Sequence, residues 1–276
     1  RALTCKHNAQ LSAGRVQTPT LALIVQRENE IKSFVPKDYW TIEAKTDGFI
    51  LTWKDKNNGS TQLFDKAKAE TIASKLSGQT GEITDIKKEA KSEPHPLAYD
   101  LTELQRDANK RYGYSAKQTL SIMQTLYERH KVLTYPRTDS RHITSDIVAT
   151  LPDRLKSIAV GSYAGAVQNL LKGKINTTSR LVDNSKVSDH HAIIPTEQPV
   201  RLSSLSAEER NIFDLVAKRF IAVLSPAYQY EQTTIKAEAA GEQLFARGKA
   251  TKTLGWKAVY NDRDDSNDDN CRNYFF

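Results

Sequence analysis

The segment KVLTYPRTDSRHI, residues 131–143, sets a tyrosine, two arginines and a histidine around one proline. Pro136 has no N–H to extend a ladder and biases Tyr135 toward an extended conformation, so the phenol is presented at the end of a short element. A phenol, with a pKa of about 10, is a poor nucleophile until a cation lowers that value or stabilises the charge developing on the group it attacks. Arg137 can supply the cation. In an extended chain residues i and i+2 share a face, roughly 6 to 7 Å apart, so the Tyr135 hydroxyl and the Arg137 guanidinium can grip one phosphodiester together. On spacing alone, an ordinary loop with an exposed tyrosine and surface charges fits the same residues.

Two further strings stand on either side. LSAGRVQTPT occupies residues 11–20 and runs into a helical pattern to Glu30, and SDHHAIIPT occupies residues 188–196. Taken in order and separation with LTYPRTDSR, they resemble the SAGRVQ segment, the active-site tyrosine segment and the histidine motif of type IA DNA topoisomerases. The HHAIIPT and Tyr-Pro-Arg forms are similar to the topoisomerase III branch more than to the topoisomerase I branch. The resemblance spans roughly residues 1 to 260.

This resemblance implies cleavage and rejoining of single-stranded DNA without ATP, through a 5′-phosphotyrosine link and a free 3′ hydroxyl. Tyr135 matches the family nucleophile, Arg137 the arginine that positions the scissile phosphate, and His190 the motif histidine that hydrogen-bonds near the site. Ser12, Arg15, Gln17, Arg141 and His191 are the expected DNA contacts. Mg2+ belongs, on the same resemblance, to an N-terminal Toprim domain whose acidic cluster and lysine are absent from this sequence. The chain opens at Arg1 with no initiator Met and reads as a central fragment, expected to bind single strands weakly and not to relax DNA by itself. A helicase is a candidate partner of the parent protein.

Other site chemistries fit less well. His190 and His191 are adjacent, and adjacent side chains on one segment seldom reach the same ion, so no metal site is expected there. The acidic run NDRDDSNDD at 261–269 has an Asp-x-Asp but no apolar strand before it, and reads as a solvated loop or tail. A tyrosine recombinase would carry its tyrosine after the arginine and histidine motifs, and a tyrosine relaxase would separate two histidines by an apolar residue. A helix-turn-helix or winged-helix module without catalysis is the main rival; it would read base edges with Gln118, Ser121 and Gln124.

Composition agrees with a polyanionic partner. The 276 residues carry a net charge of +7 and a pI near 9.2, and residues 101–141 hold eight Lys or Arg against four Asp or Glu, over half of the excess. Cys5 and Cys271 form no CxxC, against both a disulfide framework and a zinc ribbon. A reducing cytoplasm suits that cysteine usage, and the resemblance implies a cytoplasmic, nucleoid-associated protein; no apolar run approaches a membrane span and no signal peptide is visible.

The elements that must position these residues follow from the changing period. Thr18 as cap and Pro19 at the first helical position start a helix striped by Leu21, Ile24, Val25 and Ile31, whose N-terminus favours a phosphate beside Ser12, Arg15 and Gln17. Trp40, Ile42 and Ala44, a turn at Asp47-Gly48, and Phe49, Leu51 and Trp53 predict a hairpin. Residues 80–92 predict a strand, and 233–239 with 244–253 a second hairpin around Gly241. Between them Thr102-x-x-Gln105 and Ser115-x-x-Gln118 read as capping boxes of two helices, the second striped by Leu120, Met123, Leu126 and Tyr127. Asp139 and Ser140 read as caps of a following helix.

The expected fold class is α+β and multidomain: a β-rich arch domain interrupted by an inserted helical, winged-helix-like domain carrying the tyrosine. The expected divisions are 1–36, a helical gate segment; 37–96, first part of the arch; 97–227, the tyrosine domain; 228–260, second part of the arch; and 261–276, an acidic tail.

Overall fold

The computed structural model describes residues 2–9, 14–173 and 175–260. Ser12 and the acidic run from 261 lie outside the described residues. The backbone divides into two units, one of Arg1–Thr46, Ile50–Glu82 and Ala237–Phe245 and the other of Asp47–Phe49, Ile83–Lys236 and Ala246–Phe276.

The first unit opens with α1 (Ala2–His7) and α2 (Gln17–Ser33). Helix α2 starts one residue before the predicted cap: Val16 precedes it without a side-chain cap, and the Thr18 hydroxyl accepts the Gly14 N–H at 3.0 Å instead. No residue of α2 is buried, so its predicted apolar stripe faces outward in the described structure. Strands β1 (Glu43–Lys45) and β2 (Ile50–Lys54) follow and pair antiparallel with Ala44 opposite Leu51. In β2 only Leu51 and Trp53 are buried, the period-two pattern of a half-covered strand. β1 is shorter than its alternating pattern because Trp40 pairs with Leu63 through two backbone bonds, 2.7 and 2.9 Å. Helix α3 (Lys66–Leu76) is capped by Asp65 and turns Ala69 and Ile72 inward.

The second unit holds most of β3 (Glu82–Glu93), then α4 (Leu101–Tyr112), α5 (Ala116–Glu128), α6 (Leu151–Ser157), α7 (Ala164–Lys172) and α8 (Ala207–Leu224), and shares β4 (Tyr228–Ala239) and β5 (Glu242–Thr253) with the first. The strands form one five-stranded sheet in the order β1-β2-β5-β4-β3, and both predicted hairpins are in it. In the first unit Trp53 donates its indole N–H to Glu242 at 2.9 Å, and Lys75 reaches the same carboxylate at 2.8 Å. The bonds from Lys75 and Trp53 hold Glu242 below the usual carboxylate range.

Helix α8 is the axis of the helical core. Ser206 and Glu209 close a full capping box at its start, and ten of its residues are buried. Phe213, Val216 and Phe220 pack there with Leu104 and Ala108 of α4 and Ile122, Met123 and Leu126 of α5. Ser115 caps α5 by accepting the Gln118 N–H. The cap of α4 is Asp100, not Thr102: a carboxylate beside the first free N–H groups answers the helix dipole better than a hydroxyl one turn-position inside. Gly113 ends α4 at φ 71°, a left-handed conformation that costs glycine little, and so sets the tight turn into α5. Among the described residues no helix is long and apolar enough to cross a membrane.

Candidate active site

The chain leaves α5 through Lys131, at φ 55°, with Val132 N–H returning to Leu126 C=O at 3.0 Å. It then runs extended past the tyrosine. From Pro136 to His142 burial alternates: Pro136, Thr138, Ser140 and His142 are buried, while Arg137 and Asp139 are exposed and Arg141 half-buried. Tyr135, half-buried, has the parity of the outward set. The extended segment therefore presents tyrosine, arginine, aspartate and arginine along one side and holds itself down by the other.

What it is held to is the histidine motif. Thr134 N–H donates to Ile194 C=O at 3.0 Å, and Ile194 N–H donates back to the Thr134 hydroxyl at 3.0 Å. Thr196 N–H reaches Val132 C=O at 3.1 Å, and the Thr138 hydroxyl donates to His190 C=O at 2.9 Å. On the motif's other side Ile193 N–H donates to Tyr99 C=O at 2.8 Å, and Ala192 N–H to His142 C=O at 2.9 Å. Tyr99 is itself locked: its hydroxyl donates to Asp107, which also accepts from Arg219, and the Arg219 guanidinium lies 4.0 Å from the centre of its ring. Burial pushes the Tyr99 phenol well above its ordinary value.

This frame lays the exposed His190 ring on the Tyr135 ring, with centroids 4.2 Å apart and planes 33° from parallel. Arg137 stands two positions along the same side, exposed and with no ion pair among the described residues. His191 is placed differently. It is half-buried, with Nδ1 2.7 Å from Ala192 C=O, and burial holds its imidazole below the usual range, assisted by Arg154. Arg141 directs its Nε to Ala98 C=O at 3.1 Å. Ser140 caps no helix: it is buried, and its hydroxyl donates to Lys186 C=O at 2.7 Å and accepts from His142 N–H at 3.2 Å. Asp139 is exposed, with a 3₁₀ turn beginning only at Ser145. Arg15 and Gln17 are exposed at the start of α2, in the first unit.

Several residues here carried no local signal. Arg154 is buried yet charged; it donates to Pro195 C=O at 2.8 Å and pairs with Glu197 at 2.9 Å, fixing the end of the histidine motif. Thr134 and Thr138 read as ordinary polar residues, and only the inward parity shared by positions 136, 138 and 140 could have singled out the second. The α4–turn–α5 unit has the helix-turn-helix layout, and of the three side chains expected to read bases there, Gln118 points to Glu208 at 3.5 Å.

Chemically, the arrangement offers a phenol oxygen as nucleophile, an imidazole on its face that can exchange protons, and a guanidinium on the same side that can hold an anion. Among the described residues no three His, Cys, Asp or Glu side chains gather as metal ligands.

Comparison with known proteins gives the same direction. The family model described as DNA topoisomerase matches residues 1–274. The chain is similar to DNA topoisomerase 3 of Bacillus licheniformis, 52% identical over 269 residues, and to DNA topoisomerase 3 of Bacillus subtilis, 53% identical over 271 residues. Each alignment covers 98% of this chain and 37% of the relative, so the chain spans little more than a third of those proteins. Among solved structures it is similar to full-length topoisomerase I of Thermotoga maritima, with a TM-score of 0.69 at 25% identity, covering 92% of this chain and 41% of that one.

Proposed function

The chain belongs to the type IA DNA topoisomerase family, and on that premise we propose that it carries the strand-cleaving face of a topoisomerase III-like active site. The Tyr135 oxygen attacks the phosphorus of a phosphodiester in single-stranded DNA. A tyrosine O–P bond forms, the P–O3′ bond breaks, the phenol proton leaves, and the departing 3′ oxygen takes up a proton to become a hydroxyl. Reversal rejoins the strand, and because the phosphoester bond is conserved in the link, no ATP is consumed.

In this reading Arg137 holds the scissile phosphate, His190 serves the proton and hydrogen-bond changes at Tyr135, and Ser12, Arg15, Gln17, Arg141 and His191 contact the strand. Mg2+ is held by a Toprim domain elsewhere in the longer protein, the enzyme acts in the cytoplasm on the nucleoid, and a helicase supplies single strands. The observation that carries the reading is the stacking of His190 on a half-exposed Tyr135 at 4.2 Å.

The test is denaturing capture of covalent DNA adducts with the full-length protein, labelled single strands and Mg2+. Tyr135→Phe should abolish the adduct and leave DNA affinity nearly unchanged. An adduct that survives Tyr135→Phe overturns the assignment.

A further inference from the structure

Tyr135 has a second aromatic neighbour. Tyr127, in the last turn of α5, meets the Tyr135 ring edge-on, with centroids 5.5 Å apart and planes at 85°. His190 covers the face of the same ring. The phenol ring thus has two aromatic neighbours, one tilted against it and one nearly perpendicular to it.

Two features separate Tyr127 from ordinary helix packing. Its neighbours Met123 and Leu126 are fully buried and anchor α5, whereas Tyr127 itself is 37% exposed. Its contact with Tyr135 is therefore additional to the core. The end of α5 is also tied to the tyrosine segment: Arg129 and His130 N–H both return to Thr125 C=O, and Val132 N–H to Leu126 C=O. The Tyr127 ring is therefore held in the same frame as Tyr135.

We propose that Tyr127 is a positioning residue: together with His190 it confines the Tyr135 ring to one rotamer, so that the hydroxyl stands ready when the phosphate arrives. A half-exposed aromatic side chain otherwise samples several staggered wells, and only the correctly aimed fraction attacks. Edge-to-face pairs are strong enough to bias such an equilibrium several-fold. The inference rests on the reading of Tyr135 as the nucleophile.

The experiment compares Tyr127→Phe, Tyr127→Leu and Tyr127→Ala in the full-length protein, with Tyr135→Phe as reference. Single-turnover adduct formation is read at saturating single-stranded DNA, and DNA affinity is read separately by fluorescence anisotropy. Phe keeps the ring edge and should cleave at close to the parent rate. Leu and Ala should cleave roughly three- to tenfold more slowly, with affinity unchanged. Thermal melting identifies any variant that has lost its fold, and Tyr127→Leu against Tyr127→Phe carries the test if Tyr127→Ala has. Parent rates in Leu and Ala overturn the proposal, as does a fall in affinity matching the fall in rate, or a Phe variant as slow as Leu. An adduct in Tyr135→Phe would instead remove the nucleophile assignment beneath it.

Discussion

The hydroxyl of Thr138 donates to the carbonyl oxygen of His190 at 2.9 Å, across 52 positions of sequence, and accepts the N–H of Ser140 at 3.1 Å. This one buried side chain joins the segment that bears Tyr135 to the segment that bears His190. The Tyr135–His190 stacking is thus backed by a hydrogen bond directly behind it.

Thr138→Val keeps the shape and removes both bonds, leaving the buried Ser140 N–H and the part-buried His190 carbonyl without this partner. The chain should lose about 1–3 kcal/mol in urea unfolding, and adduct formation by the full-length protein should fall more than its DNA affinity. An unchanged urea midpoint would show that water replaces the hydroxyl at no cost.

Arg137 is exposed on the Tyr135 side of its segment, free to meet a phosphate. Arg137→Ala should slow adduct formation by roughly a hundredfold, the scale of one lost donor to a developing charge. Affinity for single strands should fall by less than about tenfold, because one phosphate contact among many contributes little. Equal losses in rate and affinity, measured on the same samples, would make it a docking residue.

What the sequence disclosed and what it withheld divide along chain distance. The Leu51 and Trp53 alternation announced β2, and Ser115 announced α5, because both patterns act within a few residues. The α2 and α4 caps were each misjudged by two positions, since Thr18 and Asp100 each have a competing polar neighbour and local patterns rank such competitors poorly. The outward parity of Tyr135 and Arg137 follows from the extended reading. The bonds that give that parity its meaning, Thr134 to Ile194, Thr138 to His190 and Arg154 to Pro195, join residues 41 to 60 positions apart. No period in the sequence names the carbonyl that a buried hydroxyl or guanidinium will find.

Gly255 offers a stability test away from the site. It sits at φ 50°, and a Cβ there would lie 2.3 Å from the Ala227 carbonyl oxygen and 2.6 Å from that of Pro226. Trp256 N–H donates to the same Pro226 oxygen at 2.9 Å, so the two strands of chain cannot easily part. Gly255→Ala should therefore cost about 2–4 kcal/mol by urea unfolding, from left-handed strain and overpacking together. A loss below about 0.5 kcal/mol, the level of a neutral surface change, would show that the approach relaxes freely.

Three histidines set the response to acid. His95, His142 and His191 are each held below the usual imidazole range, in every case chiefly by burial. Arg180 adds to the effect at His95; Lys186, Arg141 and Arg180 add to it at His142 against Asp183; and Arg154 and His190 add to it at His191 against Asp146. The unfolded imidazoles take up protons near pH 6.5 while the folded ones still refuse them. Between those values the unfolded chain binds more protons, so stability is full above about pH 6.5 and falls as the pH drops toward the folded values, by up to about 1.4 kcal/mol per pH unit for each proton. Carboxylates such as Glu209 and Glu242, held low by their partners, give up stability only near pH 4 and below, so the two windows separate. Urea midpoints at pH 7.5, 6.5 and 5.5 should show a clear decline across the lower interval, flattened in His95→Asn. A midpoint constant from 7.5 to 5.5 would mean that these rings gain protons as readily in the folded chain as in the unfolded one.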